Sequence, residues 1–312
     1  ALALSDDDST SYAEFILGLP GDTRAKHTQG VLQTVDLGFN QIRMHQLTML
    51  AGSEMDTPKQ RTMHGFVTQH RILQRSFGSY PFLGDTMDVI EMEEVVTQHG
   101  TFSFADYLHC RAFALTVVLF YNEQVFSEVQ GYVQHLGLKY SDFLRALHEW
   151  IMEDVALGAS DIITQEYVRF IHEAKEELHP TLEVLAMRVS MPDVRLMDDL
   201  LAGRSGNNLL FNAQGRVMYR NFSALNQRLF VALFKWLDPA GPERSYLAAL
   251  ECYLHYKKGW LHNLERVDEV LFQDYDFTAF EDGAGFRYGM KPMGQTALRF
   301  TYDQAQIDFW RR

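Results

Sequence analysis

Cysteine is scarce in this chain of 312 residues, which contains only Cys110 and Cys252. The two lie far apart and match no metal-binding spacing, so a zinc finger or a similar site is excluded. Free thiols are typical of proteins in a reducing compartment. We therefore predict two buried, reduced cysteines in a cytoplasmic protein, and a disulfide between them is the less favoured alternative.

Basic residues are also few, with 28 Lys and Arg against 41 Asp and Glu, a net charge of −13 and a pI near 5.3. An acidic surface argues against nucleic acid as a partner, although it is compatible with a local basic pocket. No uninterrupted apolar run reaches the ~18 residues of a membrane span. The longest run, residues 112–121 (AFALTVVLFY), predicts a buried helix, so no membrane partner is expected.

The first pattern along the chain is strand, helix, strand. Residues 13–19 (AEFILGL) have the continuous apolar centre of a parallel strand that is covered on both faces. Asp22 or Thr23 can cap the helix that follows, and Gly38 can end it. A second strand is predicted at residues 41–50. Two strands joined by one helix form a βαβ unit, in which the strands are parallel.

A single βαβ unit leaves the edges of its sheet bare. A further strand at residues 1–4 would leave only residues 5–12 for a parallel crossover, which needs about a dozen or more residues. Such a strand would therefore run antiparallel, or chain that belongs before residue 13 is absent, and we favour absence. An exposed edge of this kind promotes association with a second copy, so a homo-oligomer is compatible with it.

Beyond residue 50 the chain changes from mixed to helical character. A short helix ending at Gly65 is predicted first, followed by extended segments at residues 66–73 and 87–98 around a loop at residues 75–85. The predicted fold is α/β, with an α/β part at residues 1–100 and a mainly helical region with a small β tail at residues 101–312. Its helices are predicted at 103–121, 123–136, 141–157, 160–178, 180–201, 222–237 and 243–262, with a loop at 203–207, a β-like tail at 268–310 and a hairpin turn at 283–289.

The segment Gly-Leu-Pro-Gly-Asp joins the first strand to its helix. Free N–H groups and the positive end of the helix lie at this edge of the sheet. The missing Cβ atoms of Gly18 and Gly21 would let a flat ring or a polar ligand touch the backbone. The same residues, with Pro20 fixing the turn, also suit a tight strand-to-helix connection without a ligand. The segment alone leaves both interpretations open.

Longer stretches carry more information: EFILGLPGDT, QIRMHQLTMLAGSEM, HGFVTQHRILQRSFGSY and EEVVTQHGTFSFADYLHCRAF. In this order, residues 12–125 resemble the later part of radical S-adenosylmethionine enzymes, especially those with an N-terminal cobalamin-binding domain. In that family a GLPGET-like segment follows the fifth barrel strand, and a LLPGSEL-like segment follows the sixth. The resemblance implies a partial (β/α) TIM-like barrel with about two parallel strands.

The resemblance also implies a site for S-adenosylmethionine. Asp22 and Ala51 stand where the family usually has Glu and Pro, which are mild departures. The serious departure is the absence of a CxxxCxxC motif, because three thiolates hold the [4Fe–4S] cluster of these enzymes. The residues that would border S-adenosylmethionine are Phe15, Ile16, Gly18, Leu19, Pro20, Gly21, Gln46 and Thr48.

The missing motif implies that this chain is not active alone. S-adenosylmethionine, the [4Fe–4S] cluster and cobalamin would belong to a full-length parent, and the chain by itself is expected to retain none of them. Its expected partners would then be the missing N-terminal half of the same protein and a small-molecule substrate.

Three residues are candidates for binding that substrate: Arg71, Arg75 and His45. Two guanidinium groups near a glycine-containing aromatic turn can bind a carboxylate or a phosphate. The alternative for the arginines is a set of salt bridges to Glu91, Glu93 or Glu94. His45, on the second strand, is either part of a substrate wall or a structural residue.

No metal site is predicted. His172 and Glu176 have the i, i+4 spacing that can hold a metal, but they lie in an acidic segment that is typical of a solvated helix end.

Two functions are favoured by the sequence, and a complete α/β enzyme that uses Arg71 and Asp22 in unrelated chemistry is a third, less favoured alternative. The first is a part of a radical S-adenosylmethionine enzyme, which performs methyl transfer or oxidative cyclisation and to which this chain supplies part of the adenosine and substrate cavity. The second is an interaction module, in which the helices of residues 103–262 bind a protein partner and the βαβ unit is a structural remnant. A CxxxCxxC motif in the reading frame upstream of residue 1 would favour the first.

Overall fold

The computed structural model describes residues 10–190, 196–258, 268–275 and 296–301, with single residues at 277, 294, 304, 305 and 308. The fold is mixed α/β, as predicted, with small sheets and many helices. The strands are β1 Tyr12–Leu17, β2 Gln41–Gln46, β3 Thr48–Met49, β4 Val67–Phe82, β5 Asp85–Gln98, β6 Asp268–Gln273 and β7 Thr296–Thr301.

Most helices lie where the sequence predicts them. They are α1 Arg24–Asp36, α2 Pro58–His64, α3 Phe104–Phe120, α4 Ser127–His135, α5 Tyr140–Leu157, α6 Ile162–Glu176, α7 Leu182–Val189, α8 Leu196–Leu201, α9 Leu209–Arg220, α10 Phe222–Leu237 and α11 Gly241–Lys257. Short 3₁₀ turns, Glu54–Asp56 and Asn122–Gln124, precede α2 and α4.

The predicted βαβ unit is confirmed, but its second strand is shorter than the predicted residues 41–50, because β2 ends at Gln46 and Thr48–Met49 pairs in another sheet. Strands β1 and β2 pair in parallel, and the Thr23 side chain caps α1 by accepting a hydrogen bond from the Lys26 backbone N–H. The capping oxygen satisfies one of the N–H groups that a first helical turn leaves free. Among the described residues, no strand pairs with the other edge of β1.

The two faces of the β1–β2 pair differ. One face is covered by α1, where the ring of Phe15 lies 6.0 Å from that of His27. On the opposite face Ile16 is 45% exposed, and Glu14 and His45 are exposed as well. Parallel strands are normally buried on both faces, so this open face is unusual.

Strands β4 and β5 form a long antiparallel hairpin, which corrects the prediction of a loop at residues 75–85. Both strands continue through that segment, and the turn is confined to Leu83 and Gly84. The pairing of β4 with β5 is irregular only in that its register shifts twice, between Val67 and Thr68 and between Ile72 and Phe77. Within the second shift Arg75 has a left-handed backbone. Thr48–Met49 pairs with β5 on its other side, which gives the sheet order β3–β5–β4.

Two helix predictions need correction. Helix α9 was not predicted, and it begins directly after the loop at residues 203–207, where the Asn208 side chain accepts a hydrogen bond from the Phe211 backbone N–H. The helix predicted at residues 180–201 is two helices, α7 and α8, and residues 191–195 between them lie outside the described residues. The predicted β tail is confirmed by the antiparallel pair β6–β7. The predictions at residues 1–4 and 283–289 also lie outside the described residues.

The chain divides into two compact units. The first comprises residues 1–118 and 167–213, and the second comprises residues 119–166 and 214–312. In the second unit aromatic side chains fill the core, with the Phe126 ring stacked on Phe222 and the Tyr132 ring stacked on Tyr246. The sequence predicts a different boundary, near residue 100, between an α/β part and a mainly helical part. That boundary remains a prediction.

The apolar run at residues 112–121 is buried, as predicted. The helical stretch Phe104–Gln124 is long and apolar enough to cross a membrane, with a mean hydropathy of 1.2 over its best window. However, 78% of that window is buried inside the protein, as in the core helix of a soluble protein.

Candidate functional site

A cavity of about 370 Å³ lies beside the carboxyl end of β2, within the first unit. Strands β2, β3, β4 and β5 provide one part of its wall, and helix α3 and the start of α9 provide the rest. Ligand sites in parallel α/β sheets usually lie at the carboxyl ends of the strands, so the position is that of a binding site. The lining residues are Met44, His45, Gln46, Thr48, Arg71, Leu73, Gln74, Glu93, Arg111, Ala114, Asn208 and Leu210.

Arg71 is the central charged residue of this cavity, and only 5% of it is exposed. Its Nε donates to Oε1 of Glu93 at 2.7 Å, and Glu93 is the residue on β5 that pairs with Arg71. Its Nη1 donates to Glu177 Oε1 at 2.9 Å, and its Nη2 donates to Gln46 Oε1 at 3.1 Å. The structure therefore agrees with the alternative interpretation of Arg71, a salt bridge to β5, and adds two further contacts.

Arg111 is a second buried guanidinium of the cavity wall, 4% exposed, on α3. Its Nη1 donates to Glu177 Oε1 at 3.1 Å and to the Tyr107 hydroxyl at 3.0 Å. The guanidinium carbon also lies 5.5 Å from the ring centre of Phe170. Buried arginines are held in proteins by such combinations of carboxylates and aromatic faces.

The electrostatics of the cluster keep both arginines charged. Burial opposes the charge of Arg71, but Glu177, Tyr107 and Glu93 outweigh it and hold the pKa of Arg71 above its ordinary value. Burial likewise opposes the charge of Arg111, but Tyr107 and Glu177 raise its pKa overall. An opposite charge within a few ångströms favours the charged form of a buried group.

The glycine segment before α1 forms a tight turn. The Asp22 backbone N–H donates to the Leu19 carbonyl oxygen at 3.0 Å, with Pro20 and Gly21 at the two central positions. Gly21 has φ +78°, which a type II turn requires at its third residue. The Gly-Leu-Pro-Gly pattern is thus explained by backbone geometry without a ligand.

The two glycines of this segment have different surroundings. A Cβ on Gly18 would lie 3.6 Å from the Val96 carbonyl oxygen, and Gly18 is buried. A Cβ on Gly21 would meet no atom within 4 Å, and Gly21 is exposed. A ligand could therefore contact the backbone at Gly21, whereas the β5 backbone covers Gly18.

The predicted site residues fall into two groups. His45, Gln46, Thr48 and Arg71 line the cavity together. The others lie outside its lining: Phe15, Ile16, Gly18, Leu19, Pro20, Gly21 and Arg75.

Arg75 itself is exposed, and its guanidinium carbon lies 5.8 Å from the ring centre of Phe211. Its backbone N–H donates to the Gly206 carbonyl oxygen. The exposed side chain of His45 lies 3.8 Å from Glu14 Oε1 on the open face of the sheet.

Sequence reasoning missed Arg111, Glu177, Asn208 and Leu210 as site residues. Arg111 directly precedes an apolar helical run, and a charged residue beside such a run is a usable signal for a buried polar site. Glu177 belongs to the acidic segment around His172 and Glu176 that was interpreted as a solvated helix end, and its role depends on a contact with Arg71, 106 positions away along the chain. Asn208 and Leu210 belong to the start of the helix that was not predicted.

The thiols of the chain do not fit an iron–sulfur cluster. Cys110 is buried in the first unit, where burial raises its pKa to about 12. Cluster ligands are thiolates, and three are needed at closely spaced positions. Among the described residues, no group of three or more His, Cys, Asp and Glu side chains could hold a metal ion.

Comparison with known proteins adds no assignment. No family model matches the chain, and no curated protein matches it.

Proposed function

We propose that this chain is part of a radical S-adenosylmethionine enzyme with a cobalamin-binding domain, and that it provides a wall of the substrate cavity. The resemblance of residues 12–125 to this family motivates the proposal. Methyl transfer and oxidative cyclisation are the two reaction types that it implies.

The open face of the β1–β2 pair supports a partial (β/α) barrel. In such barrels helices cover the outer face of the sheet, and the inner face is covered by the other strands. Here α1 covers one face, and Ile16 and His45 are exposed on the other. Further parallel strands of the same barrel, on polypeptide outside this chain, would bury that face.

The observation that carries the proposal is the cavity at the carboxyl end of β2. Two residues expected from the resemblance, Gln46 and Thr48, line it together with two substrate candidates, His45 and Arg71, although the four come from three strands. Gln46 and Thr48 have side-chain oxygens and an amide that can hydrogen bond to the cofactor. His45 is the exposed member, and we assign it to the substrate.

The cluster and cobalamin have no assigned ligands here. Because the two cysteines of this chain do not fit a [4Fe–4S] cluster, the proposal requires the CxxxCxxC loop and the cobalamin-binding domain on polypeptide outside residues 1–312.

The test is anaerobic reconstitution of the complete gene product with iron and sulfide, followed by assay for 5′-deoxyadenosine formed from S-adenosylmethionine. We expect a brown protein with the broad visible absorption of a [4Fe–4S] cluster and 5′-deoxyadenosine production. His45→Ala is expected to change the yield of 5′-deoxyadenosine in the presence of substrate. His172→Ala is the matched control, because His172 is an exposed histidine that does not line the cavity.

Two results would overturn the proposal. One is a reconstituted gene product that binds no cluster and forms no 5′-deoxyadenosine. The other is a reading frame upstream of this chain with no CxxxCxxC motif.

A further inference from the structure

We infer that the cavity beside β2 binds a small zwitterionic ligand, an amino carboxylate, with its carboxylate on Arg111 and its ammonium group on Glu93. The inference takes the cavity from the proposed function and names a ligand class for it. It requires neither the cluster nor radical chemistry, because the binding groups all belong to this chain.

Arg111 has donors left over for a ligand. Both of its hydrogen bonds to described residues use Nη1, and Nε and Nη2 have no partner among the residues that the structure describes. Arg111 is 4% exposed and lines the cavity, so these donors can be satisfied only from the cavity side. A guanidinium edge with free donors matches the two oxygens of a carboxylate.

Arg71 is less suited to the same ligand group. Three of its five N–H groups already donate, to Glu93, Glu177 and Gln46, and each of its three nitrogens has a side-chain partner. It therefore acts as a positioning residue, which fixes the carboxylates of Glu93 and Glu177 relative to the cavity.

Glu93 provides the complementary acceptor. Its Oε1 accepts the hydrogen bond from Arg71, while its Oε2 has no partner within the described part of the chain. Its side chain is 15% exposed, and it lines the cavity. A carboxylate oxygen in this position is an acceptor for an ammonium group.

The charge balance of the cluster selects a ligand without net charge. The two positive groups, Arg71 and Arg111, are balanced by two negative groups, Glu93 and Glu177. A doubly charged phosphate would bring uncompensated negative charge into a nearly buried site, which is costly. A zwitterion satisfies Arg111 and Glu93 at once and leaves the balance unchanged.

The rest of the lining suits a short carbon chain between the two charged groups. Met44, Leu73, Ala114 and Leu210 are apolar, and the volume of about 370 Å³ lies within the range of small-molecule pockets.

The test is a binding measurement on the chain of residues 1–312 by saturation-transfer difference NMR. The probes are glycine, β-alanine and γ-aminobutyrate, each compared with the carboxylate that lacks the amine, namely acetate, propionate and butyrate. We expect at least one amino carboxylate to bind roughly tenfold more tightly than its counterpart, which corresponds to about 1.4 kcal/mol for the added ammonium–carboxylate contact. Equal binding within all three pairs, or no binding, would overturn the inference.

Two variants locate the binding groups. Arg111→Gln should weaken binding of the best amino carboxylate by about tenfold or more. Glu93→Gln retains an oxygen that can accept from Arg71, and it should abolish the preference for the amine over its counterpart. Arg169→Gln is the matched control, because Arg169 is half exposed and lies outside the cavity lining. A folded variant of either cavity residue with wild-type binding contradicts the inference.

A third variant tests the position of the site even if Arg111→Gln does not fold. Gln74→Trp adds bulk at the cavity wall and keeps every charged side chain of the cluster, and it should block the amino carboxylate. Undiminished binding to this variant would contradict a site in the cavity. Failure to form 5′-deoxyadenosine does not bear on these measurements, so the two proposals fail separately.

Discussion

Arg71 Nη1 donates a hydrogen bond of 2.9 Å to Glu177 Oε1, although the two residues are 106 positions apart in the chain. The contact ties strand β4 to the end of helix α6, and it lies at the wall of the candidate cavity. Because the same Glu177 oxygen also accepts from Arg111, one carboxylate orients both buried guanidiniums.

Replacing Glu177 is therefore expected to destabilise the first unit. Glu177→Gln removes the negative charge that Arg71 and Arg111 share, and the loss of one partner from a buried ion pair costs about 3–5 kcal/mol. Urea unfolding followed by far-UV circular dichroism measures the change. Tryptophan fluorescence is unsuitable, because all four tryptophans lie in the residue ranges of the second unit.

The control for this measurement is Glu176→Gln, which alters the neighbouring, exposed carboxylate. We expect a change within about 0.5 kcal/mol, as for most surface substitutions. Equal effects of the two substitutions would show that Glu177 does not organise the buried cluster.

A second prediction concerns acid stability. Both terminal nitrogens of Arg61 donate to Glu94, at 2.7 Å each, and this hydrogen bonding holds the pKa of Glu94 below its ordinary value of 4.5. A depressed carboxyl pKa contributes stability that is fully present above the unfolded value and is lost as the pH falls through the folded value.

The melting temperature should therefore fall below pH 4.5 more steeply in the wild type than in Glu94→Gln, so that the two converge in acid. Glu91→Gln, which alters an exposed carboxylate on the same strand, should follow the wild type. A constant difference between wild type and Glu94→Gln at every pH would refute the assignment.

The turn before α1 gives a third prediction. Gly21 has φ +78°, so Gly21→Ala places a Cβ in a left-handed backbone and should cost about 1–2 kcal/mol. Because the space around it is empty, the cost is conformational, and Gly21→Asn should cost less. The free energies of unfolding of the two variants check this, and an equal cost would point to a steric cause instead.

A fourth prediction concerns Cys110. Burial raises the pKa of this thiol to about 12, and the thiolate is the reactive form. Iodoacetamide at mildly alkaline pH should leave Cys110 unmodified in the native protein and modify it in urea, as read by mass spectrometry of its peptide. Rapid alkylation of the native protein would show that Cys110 is accessible and would reopen its role as a ligand.

Local signals predicted the βαβ unit and the short helix α2 after it well. Thr23 as a cap, Gly65 as a helix end and the apolar strand centre at Phe15 each depend on neighbours close in sequence, and each lies where it was predicted. Gln46 and Thr48 were expected to line one cavity because of the resemblance. His45 was a separate candidate, and strand periodicity does not predict that it shares their wall, because His45 and Gln46 are neighbours whose side chains point to opposite faces.

Long-range contacts explain what the sequence did not reveal. The segment around Gly78 and Pro81 has turn residues, but pairing with β5 keeps it extended, so tertiary context overrides local preference. Glu177 and Arg111 are distant from Arg71 in sequence, and only the packing of α3 and α6 on the sheet brings their charges together.

The most direct test of the proposed function is equilibrium binding of S-adenosylhomocysteine to the complete gene product. We predict saturable binding that Thr48→Val weakens by about tenfold, the loss of one hydrogen bond of about 1.4 kcal/mol. Absence of saturable binding, or binding unchanged by Thr48→Val and by loss of the Gln46 side-chain amide, would contradict a nucleoside site at the carboxyl end of β2.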